Sequence, residues 1–186
     1  MLIEYSPNYF VLDHVPRLLR EQYKYAPKFI VSLRNPLSRT LSSWTFKAKE
    51  GIELKKKSSL IQADDPFNKS MAIGLMQAQC IEDCYHRFKS MKKCSITECR
   101  FKYDHRGDGR NGKYSYYAHL VKSLYVYQFL LWFAFFPKSD FFIFTIEQYR
   151  KNPIGVTEAI MNFMGLPLYD PSGKKGFTNK EVGLGF

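Results

Sequence analysis

Apolar positions along the chain follow two rhythms. Lys28-Phe29-Ile30-Val31-Ser32-Leu33, between Pro27 and Arg34-Asn35-Pro36, and Phe141-Phe142-Ile143-Phe144-Thr145-Ile146, after Pro137, are short and nearly continuous apolar runs. Such runs predict strands buried on both faces, the pattern of parallel sheets. Elsewhere the spacing is helical. Val15-Pro16-Arg17-Leu18-Leu19-Arg20 opens a short basic helix, with Pro16 in the first turn, where its missing donor costs nothing, and Pro27 as its stop. A helix from about Leu37 to Lys49 starts at Pro36, and Ile73, Met76, Cys80, Ile81, Cys84 and Phe88 mark another from Ala72 to about Met91. Tyr114 to Phe136 reads as an aromatic helix. Pro153 starts a last one, with Val156, Ile160, Phe163 and Met164 inward and Gly165 and Pro167 at its end. Gly51 to Ser70 reads as an exposed excursion and Arg87 to Lys113 as a basic loop. Strand, tight turn and helix from Lys28 to Lys49 make half of a βαβ unit, so the expected class is α/β with a parallel sheet. No repeat or linker divides the chain, which reads as a single domain over 1–186 with a basic, cysteine-containing insert at about 80–113.

Composition narrows the partners. The 186 residues, 45% hydrophobic and 17% aromatic, suffice for one sizeable core, and 24% charged residues without polar tracts exclude disorder, collagen and coiled coil. A balance of 28 Lys+Arg against 17 Asp+Glu, formally +11, points to an anionic partner. Arg87 to Lys113 concentrates this charge, with nine Lys and Arg against Glu98, Asp104 and Asp108, and with Phe88, Phe101, Tyr103 and Tyr114 interspersed. That stretch is either a surface for a polyanionic sugar chain or a solvated basic face. Nucleic acid is not an expected partner, because the cations are spread through loops and no nucleic-acid motif occurs. No G-x-x-x-x-G-K-[ST] occurs either, which excludes a nucleotide kinase loop. His14, His86, His105 and His119 show no metal spacing and no catalytic pattern.

Cys80, Cys84, Cys94 and Cys99 lie within one short stretch, with three and four residues inside the pairs and nine between them. Zinc sites usually place two residues inside each pair, so disulfides are favoured, with free thiols and zinc as alternatives. Cys80 and Cys84, four apart on a helix, pair more plausibly with Cys94 and Cys99 than with each other. Asn68-Lys69-Ser70 is an N-glycosylation pattern that suits a lumenal chain. Met1-Leu2-Ile3-Glu4 is no signal peptide, and the apolar run from Leu124 to Phe136 is too short to span a bilayer. Disulfides without a targeting segment are in conflict, and the expectation that resolves this most simply is a natural N-terminus upstream of Met1.

The candidate chemistry sits where the first strand ends. In parallel α/β sheets, ligands bind beyond the carboxyl ends of strands, and anions favour helix N-termini. Arg34 directly follows the strand, and Ser42 lies about two turns into the next helix. A multidentate guanidinium and a hydroxyl at this spacing can grip one phosphate monoester. The competing reading pairs Arg34 with a carboxylate and leaves Ser42 as an ordinary exposed residue.

Lys28 through Trp44, read as KFIVSLRNPLSRTLSSW, resembles the 3′-phosphate-binding motif of Golgi carbohydrate sulfotransferases. Ile3-Glu4-Tyr5-Ser6-Pro7-Asn8-Tyr9-Phe10 is similar to the Ser/Thr-Pro segment that precedes it. Leu124-Tyr125, Trp132-Phe133, Phe136-Pro137, Phe141 to Tyr149 and Asn162-Phe163-Met164-Gly165-Leu166-Pro167 follow the family's later order. The cysteine-bearing insert is most like that of the N-acetylgalactosamine 4-sulfate 6-O-sulfotransferases, and the heparan sulfate sulfotransferases are also similar.

The resemblance implies an incomplete P-loop-like three-layer fold with a central parallel sheet. It implies transfer of a sulfonate from 3′-phosphoadenosine 5′-phosphosulfate (PAPS) to a glycan or glycosaminoglycan hydroxyl, without a metal. Arg34 and Ser42 would hold the 3′-phosphate, and Lys174, Lys175 and Gly176 resemble the late loop that covers the nucleotide, unless they are only a solvated turn. The partner would be an anionic glycan, and the full-length protein a type II membrane protein of the Golgi lumen. Three departures stand out. Tyr5 occupies the place of an active-site Lys in heparan sulfate O-sulfotransferases, Ser123 replaces a common Gly, and the 5′-phosphosulfate loop and catalytic base are not matched. The catalytic residues are therefore expected upstream of Met1 and the isolated chain is expected to be inactive. A non-catalytic domain binding polyanions or nucleic acid is the alternative.

Overall fold

The computed structural model describes residues 9–23, 27–54, 67–103 and 119–167. Tyr5, the Ser6-Pro7 segment, His105, Tyr114 and the Lys174, Lys175 and Gly176 loop lie outside the described residues. The chain divides into two compact units. One comprises 1–26 and 35–138, the other 27–34 and 139–186.

The second unit holds the sheet. β1 (Phe29–Leu33) and β2 (Phe141–Thr145) pair in parallel, with Phe29 opposite Phe141 and Leu33 opposite Thr145. The Phe29 and Phe141 rings stack at 4.7 Å, so register and packing agree. Thr145 ends β2 and begins α6 (Ile146–Lys151) through a reciprocal capping box with Gln148. Asn152 caps α7 (Pro153–Met164) by accepting from Gly155 N, and Pro153 fills the first turn. Gly165 closes α7 at φ +69°, a left-handed conformation in which a side chain would be strained. Phe163 of α7 packs on Phe142 at 5.6 Å, and Lys28 donates to the Phe163 carbonyl while its ammonium lies over the Phe163 ring.

The strands are where their apolar runs predicted, but they are not buried on both faces. Exposure alternates along β1, and Ile30 and Ile143 are each 42% exposed. The reason is the supply of cover: within this unit α6 and α7 pack on β2. A continuous apolar run permits burial on two faces without providing the second layer.

The first unit is helical, with α1 (Val15–Gln22), α2 (Pro36–Leu54), α3 (Phe67–Phe88), α4 (Ile96–Lys102) and α5 (Tyr125–Trp132). Its core gathers Ile81, Met91, Cys94, Ile96, Cys99, Val121 and Leu131, with Tyr85, Leu124, Tyr127 and Phe135 packed against them. Phe10 stacks on Trp132 and accepts a hydrogen bond from its indole N–H at its carbonyl oxygen. Both Cys80 and Cys84 project from α3 one turn apart and close disulfides, Cys80–Cys99 and Cys84–Cys94, with Cα separations of 5.7 and 5.8 Å. The pairing of helix cysteines with Cys94 and Cys99 thus holds, and the zinc and free-thiol alternatives fall away.

Three boundaries differ from the pattern. α2 runs on to Leu54 and α3 begins at Phe67, so the expected excursion from 51 to 70 is helix at both ends, and the stretch between them lies outside the described residues. Arg87 to Tyr103 is not loop but the end of α3, a 3-10 turn at Met91–Lys93 and α4. Its cluster of Lys and Arg masks a local helix start, Ser95 capping α4 by accepting from Glu98 N at 3.0 Å, and Cys94 and Cys99 fasten the segment to α3. Among the described residues the aromatic stretch is α-helix from Tyr125 to Trp132, short of the expected end at Phe136. Leu124, at φ −83° and ψ 63°, breaks it from the 3-10 turn Val121–Ser123, and the Val121 carbonyl accepts both from Leu124 N and from the buried Gln128 side chain, at 3.1 Å each, which ties the turn to α5.

Asp13 ties this unit together at a distance in sequence. Its carboxylate accepts from Ser95 Oγ (2.8 Å), Thr97 N (3.1 Å) and Thr97 Oγ1 (2.8 Å), at the start of α4. Burial alone would raise its pKa, but these donors outweigh burial and hold it below the ordinary carboxylate value. A folded-state pKa below the unfolded one adds stability that is present above the unfolded value and is lost as pH falls through the folded one. Asp13→Asn is therefore expected to lower the denaturation midpoint at pH 7, by about 1–3 kcal/mol in stability. The gap to the wild type should narrow in melts below the normal aspartate range. An equal deficit at all pH values would overturn the role of the charge.

Candidate functional site

Chain order leads from β1 through Arg34 to Asn35 and α2. Arg34 is half-buried at the carboxyl end of β1, in the sheet unit. Ser42 belongs to the helical unit, on an exposed face of α2, and its hydroxyl makes no hydrogen bond among the described residues. Their joint use therefore rests on the sequence pattern and not on a measured separation.

The N-terminus of α2 is less open to an anion than the pattern suggested. Pro36 has no N–H, and Asn35 Oδ1 accepts from Leu37 N and Ser38 N at 3.1 Å each. Arg39 N already donates to the Asn35 carbonyl at 2.9 Å. The helix dipole remains, but the amides are taken. An anion at this terminus would have to be held by side chains.

Another face of α2 is a polar seam, with Thr40 and Ser123 buried. Arg39 Nη1 donates to the His119 carbonyl and to Ser123 Oγ, both at 3.2 Å. Thr40 Oγ1 lies 3.0 Å from Ser123 Oγ and 2.8 Å from the Pro36 carbonyl, and Ser43 Oγ is 2.8 Å from His119 Nδ1. Ser123 Oγ in turn donates to the His119 carbonyl at 3.2 Å. Burial lowers the pKa of Arg39 from its ordinary value and the Tyr125 phenol opposes the shift, yet a guanidinium stays charged. Arg39 is thus a tie between α2 and the 3-10 turn, although it stands in the same short motif as Arg34.

Sequence reasoning missed this seam. Its trace was Arg39, Thr40 and Ser43 at helical spacing, together with Ser123 two residues before Tyr125. Ser123→Ala, which leaves Arg39 and Thr40 short of a buried partner, is expected to cost about 1–3 kcal/mol in chemical denaturation. Amide exchange in residues 36–46 should rise in parallel. Unchanged exchange there would show that the hydroxyl does not hold α2.

Asn68 is exposed in the first turn of α3, whereas Ser70 of the same triplet is buried at 2% exposure. Arg87, Lys89, Lys92, Lys93 and Lys102 are exposed, and Arg100 is buried. Among the described residues no group of His, Cys, Asp or Glu is placed to hold a metal ion, and no helix is long and apolar enough to cross a membrane.

A parallel strand ending at Arg34 and followed by a capped helix is the half βαβ unit that the sequence predicts. The family model of the sulfotransferase domain matches residues 6–178, and the chain belongs to that family. Among solved structures it is similar to a sulfotransferase from Alicyclobacillus acidocaldarius, with a TM-score of 0.55 and 14% identity over 94% of this chain. The chain spans 54% of that protein's length. No curated protein sequence matches the chain.

Proposed function

We propose that this chain carries the 3′-phosphate-binding half of a site that transfers a sulfonate from PAPS to a hydroxyl of a glycan. The observation that carries the reading is Arg34 at the carboxyl end of a parallel strand, immediately before α2, within a sulfotransferase domain. The residues fit the nucleotide. Arg34 offers a fork of N–H donors, Ser42 an exposed hydroxyl, and with the α2 amides already bonded to Asn35 the phosphate would rely on those two side chains. When bound, PAPS supplies the activated sulfonate. Arg34 and Ser42 would fix its adenosine end, so that the sulfur is presented in one orientation and the reaction gains from positioning. The proton of the acceptor hydroxyl needs a base, a role assigned to none of the described residues.

The narrower reading is a carbohydrate sulfotransferase of the Golgi lumen, membrane-bound in its full-length form and acting on an anionic glycosaminoglycan. Two disulfides support an oxidising compartment, and the excess of cations supports an anionic acceptor. Lys174, Lys175 and Gly176 remain proposed cover for the nucleotide. No observation favours the alternative of a non-catalytic nucleic-acid-binding domain.

Calorimetric titration with adenosine 3′,5′-bisphosphate and with adenosine 5′-phosphate tests the reading. The bisphosphate is expected to bind about tenfold or more tightly, the worth of one charged hydrogen-bonded contact. Equal affinities would remove Arg34 and Ser42 from a 3′-phosphate site.

A further inference from the structure

We infer that the disulfide-stapled module from Arg87 to Lys102 is a docking surface for a sulfated or uronate-bearing polysaccharide. Arg87, Lys89, Lys92, Lys93 and Lys102 are all exposed, and Glu98 is the one exposed acid among residues 86–102. None of the five is ion-paired among the described residues. Helix dipoles account for Arg87 and Lys102, which sit in or at the last turns of α3 and α4. Lys89 also stands at the C-terminus of α3, its N–H bonded to the Tyr85 carbonyl and its ammonium 3.3 Å from His86 Nδ1, whereas the dipoles do not account for Lys92 and Lys93, which lie in the 3-10 turn between the two helices.

The backbone beneath these cations is held firmly. The Cys84–Cys94 and Cys80–Cys99 bonds fasten the 3-10 turn and α4 to α3, and Met91, Cys94, Ile96 and Cys99 turn inward. Two ammonium groups rest on aromatic faces, Lys92 on Phe135 at 4.5 Å and Lys102 on Tyr103 at 5.2 Å. A surface ordered beforehand loses less entropy on binding a charged polymer. Disulfides form and persist outside the cytosol and nucleus, where the abundant linear polyanions are polysaccharides, so a glycan suits this surface better than a nucleic acid. The inference rests on the glycan part of the proposed function and extends it from the transferring site to how the acceptor is held.

The test uses the full chain produced with both disulfides formed, titrated with a fluorescent heparin oligosaccharide, with neutral dextran and with a single-stranded oligonucleotide of matched charge. The heparin oligosaccharide is expected to bind with a clear salt dependence and dextran not at all. Lys89→Glu/Lys92→Glu/Lys93→Glu should weaken heparin binding by about tenfold or more, and Arg17→Glu/Arg20→Glu/Lys151→Glu, with the same change in net charge, by about threefold or less. In the unaltered chain, lysine acetylation footprinting should show heparin protecting Lys89, Lys92, Lys93 and Lys102 and sparing Lys28, Lys138 and Lys151. Equal losses in the two variants, uniform protection, or tighter binding of the oligonucleotide would each overturn the inference. No nucleotide is present in these titrations, so a failed 3′-phosphate preference would sink the nucleotide site and leave this surface standing.

Discussion

Arg34→Ala is expected to erase the preference for adenosine 3′,5′-bisphosphate over adenosine 5′-phosphate, a loss of about 10- to 100-fold in affinity for the bisphosphate alone. The size follows from removing a charged, multidentate donor from a phosphate, where each charged hydrogen bond is worth more than a neutral one. Affinity for adenosine 5′-phosphate should barely change, because the lost contact is to the 3′ group. Arg34→Lys keeps the charge but loses the planar fork and should fall between the two. Ser42→Ala should cost less than Arg34→Ala, since a hydroxyl brings no charge. Arg39→Ala supplies the contrast. Its guanidinium bonds the His119 carbonyl and Ser123, so its loss should lower the melting temperature while folded protein keeps its nucleotide preference. If Arg39→Ala removed the preference and Arg34→Ala did not, the assignment of the two arginines would be reversed.

Loss of a disulfide is expected to bring the largest change in stability. Cys80→Ala/Cys99→Ala opens a loop of sequence separation 19, for which chain entropy predicts about 3 kcal/mol. For a chain of this size that corresponds to a melting temperature lower by roughly 6–12 °C. The effect has a structural locus as well. The core of the helical unit includes Cys94 and Cys99 themselves, so the bonds fasten the same residues that exclude water. Thermal melts of the wild type with and without reductant should show a shift in the same direction. A melting temperature indifferent to both treatments would mean that packing of Ile81, Met91 and Ile96 holds the module without the sulfur bridges.

Much of this molecule is written in its local chemistry. Pro16, Pro36 and Pro153 mark helix starts because a first turn tolerates a missing N–H, and Gly165 marks an end because only glycine adopts its backbone angles cheaply. The apolar runs at Phe29 and Phe141 locate both strands, and with them the place of Arg34. The four-residue spacing of Cys80 and Cys84 puts both thiols on one helix face, so one neighbouring segment carrying Cys94 and Cys99 can meet them both. These features need no neighbours beyond a few residues.

Other features are properties of the fold. Whether Ile30 and Ile143 are covered depends on which layers meet the sheet, a matter of partners that no run of apolar residues encodes. In Arg87 to Lys102 the Ser95 cap with Glu98 marks the start of α4 locally, but the 3-10 turn before it and the seating of both on α3 depend on the two disulfides and the inward side chains. Arg34 and Arg39 look alike in sequence, two guanidiniums five residues apart, and only packing separates them. One ends a strand, while the other is drawn into a polar seam by Ser123, more than eighty residues away. Burial converts Arg39 into a structural tie because a guanidinium removed from water must find its acceptors within the protein.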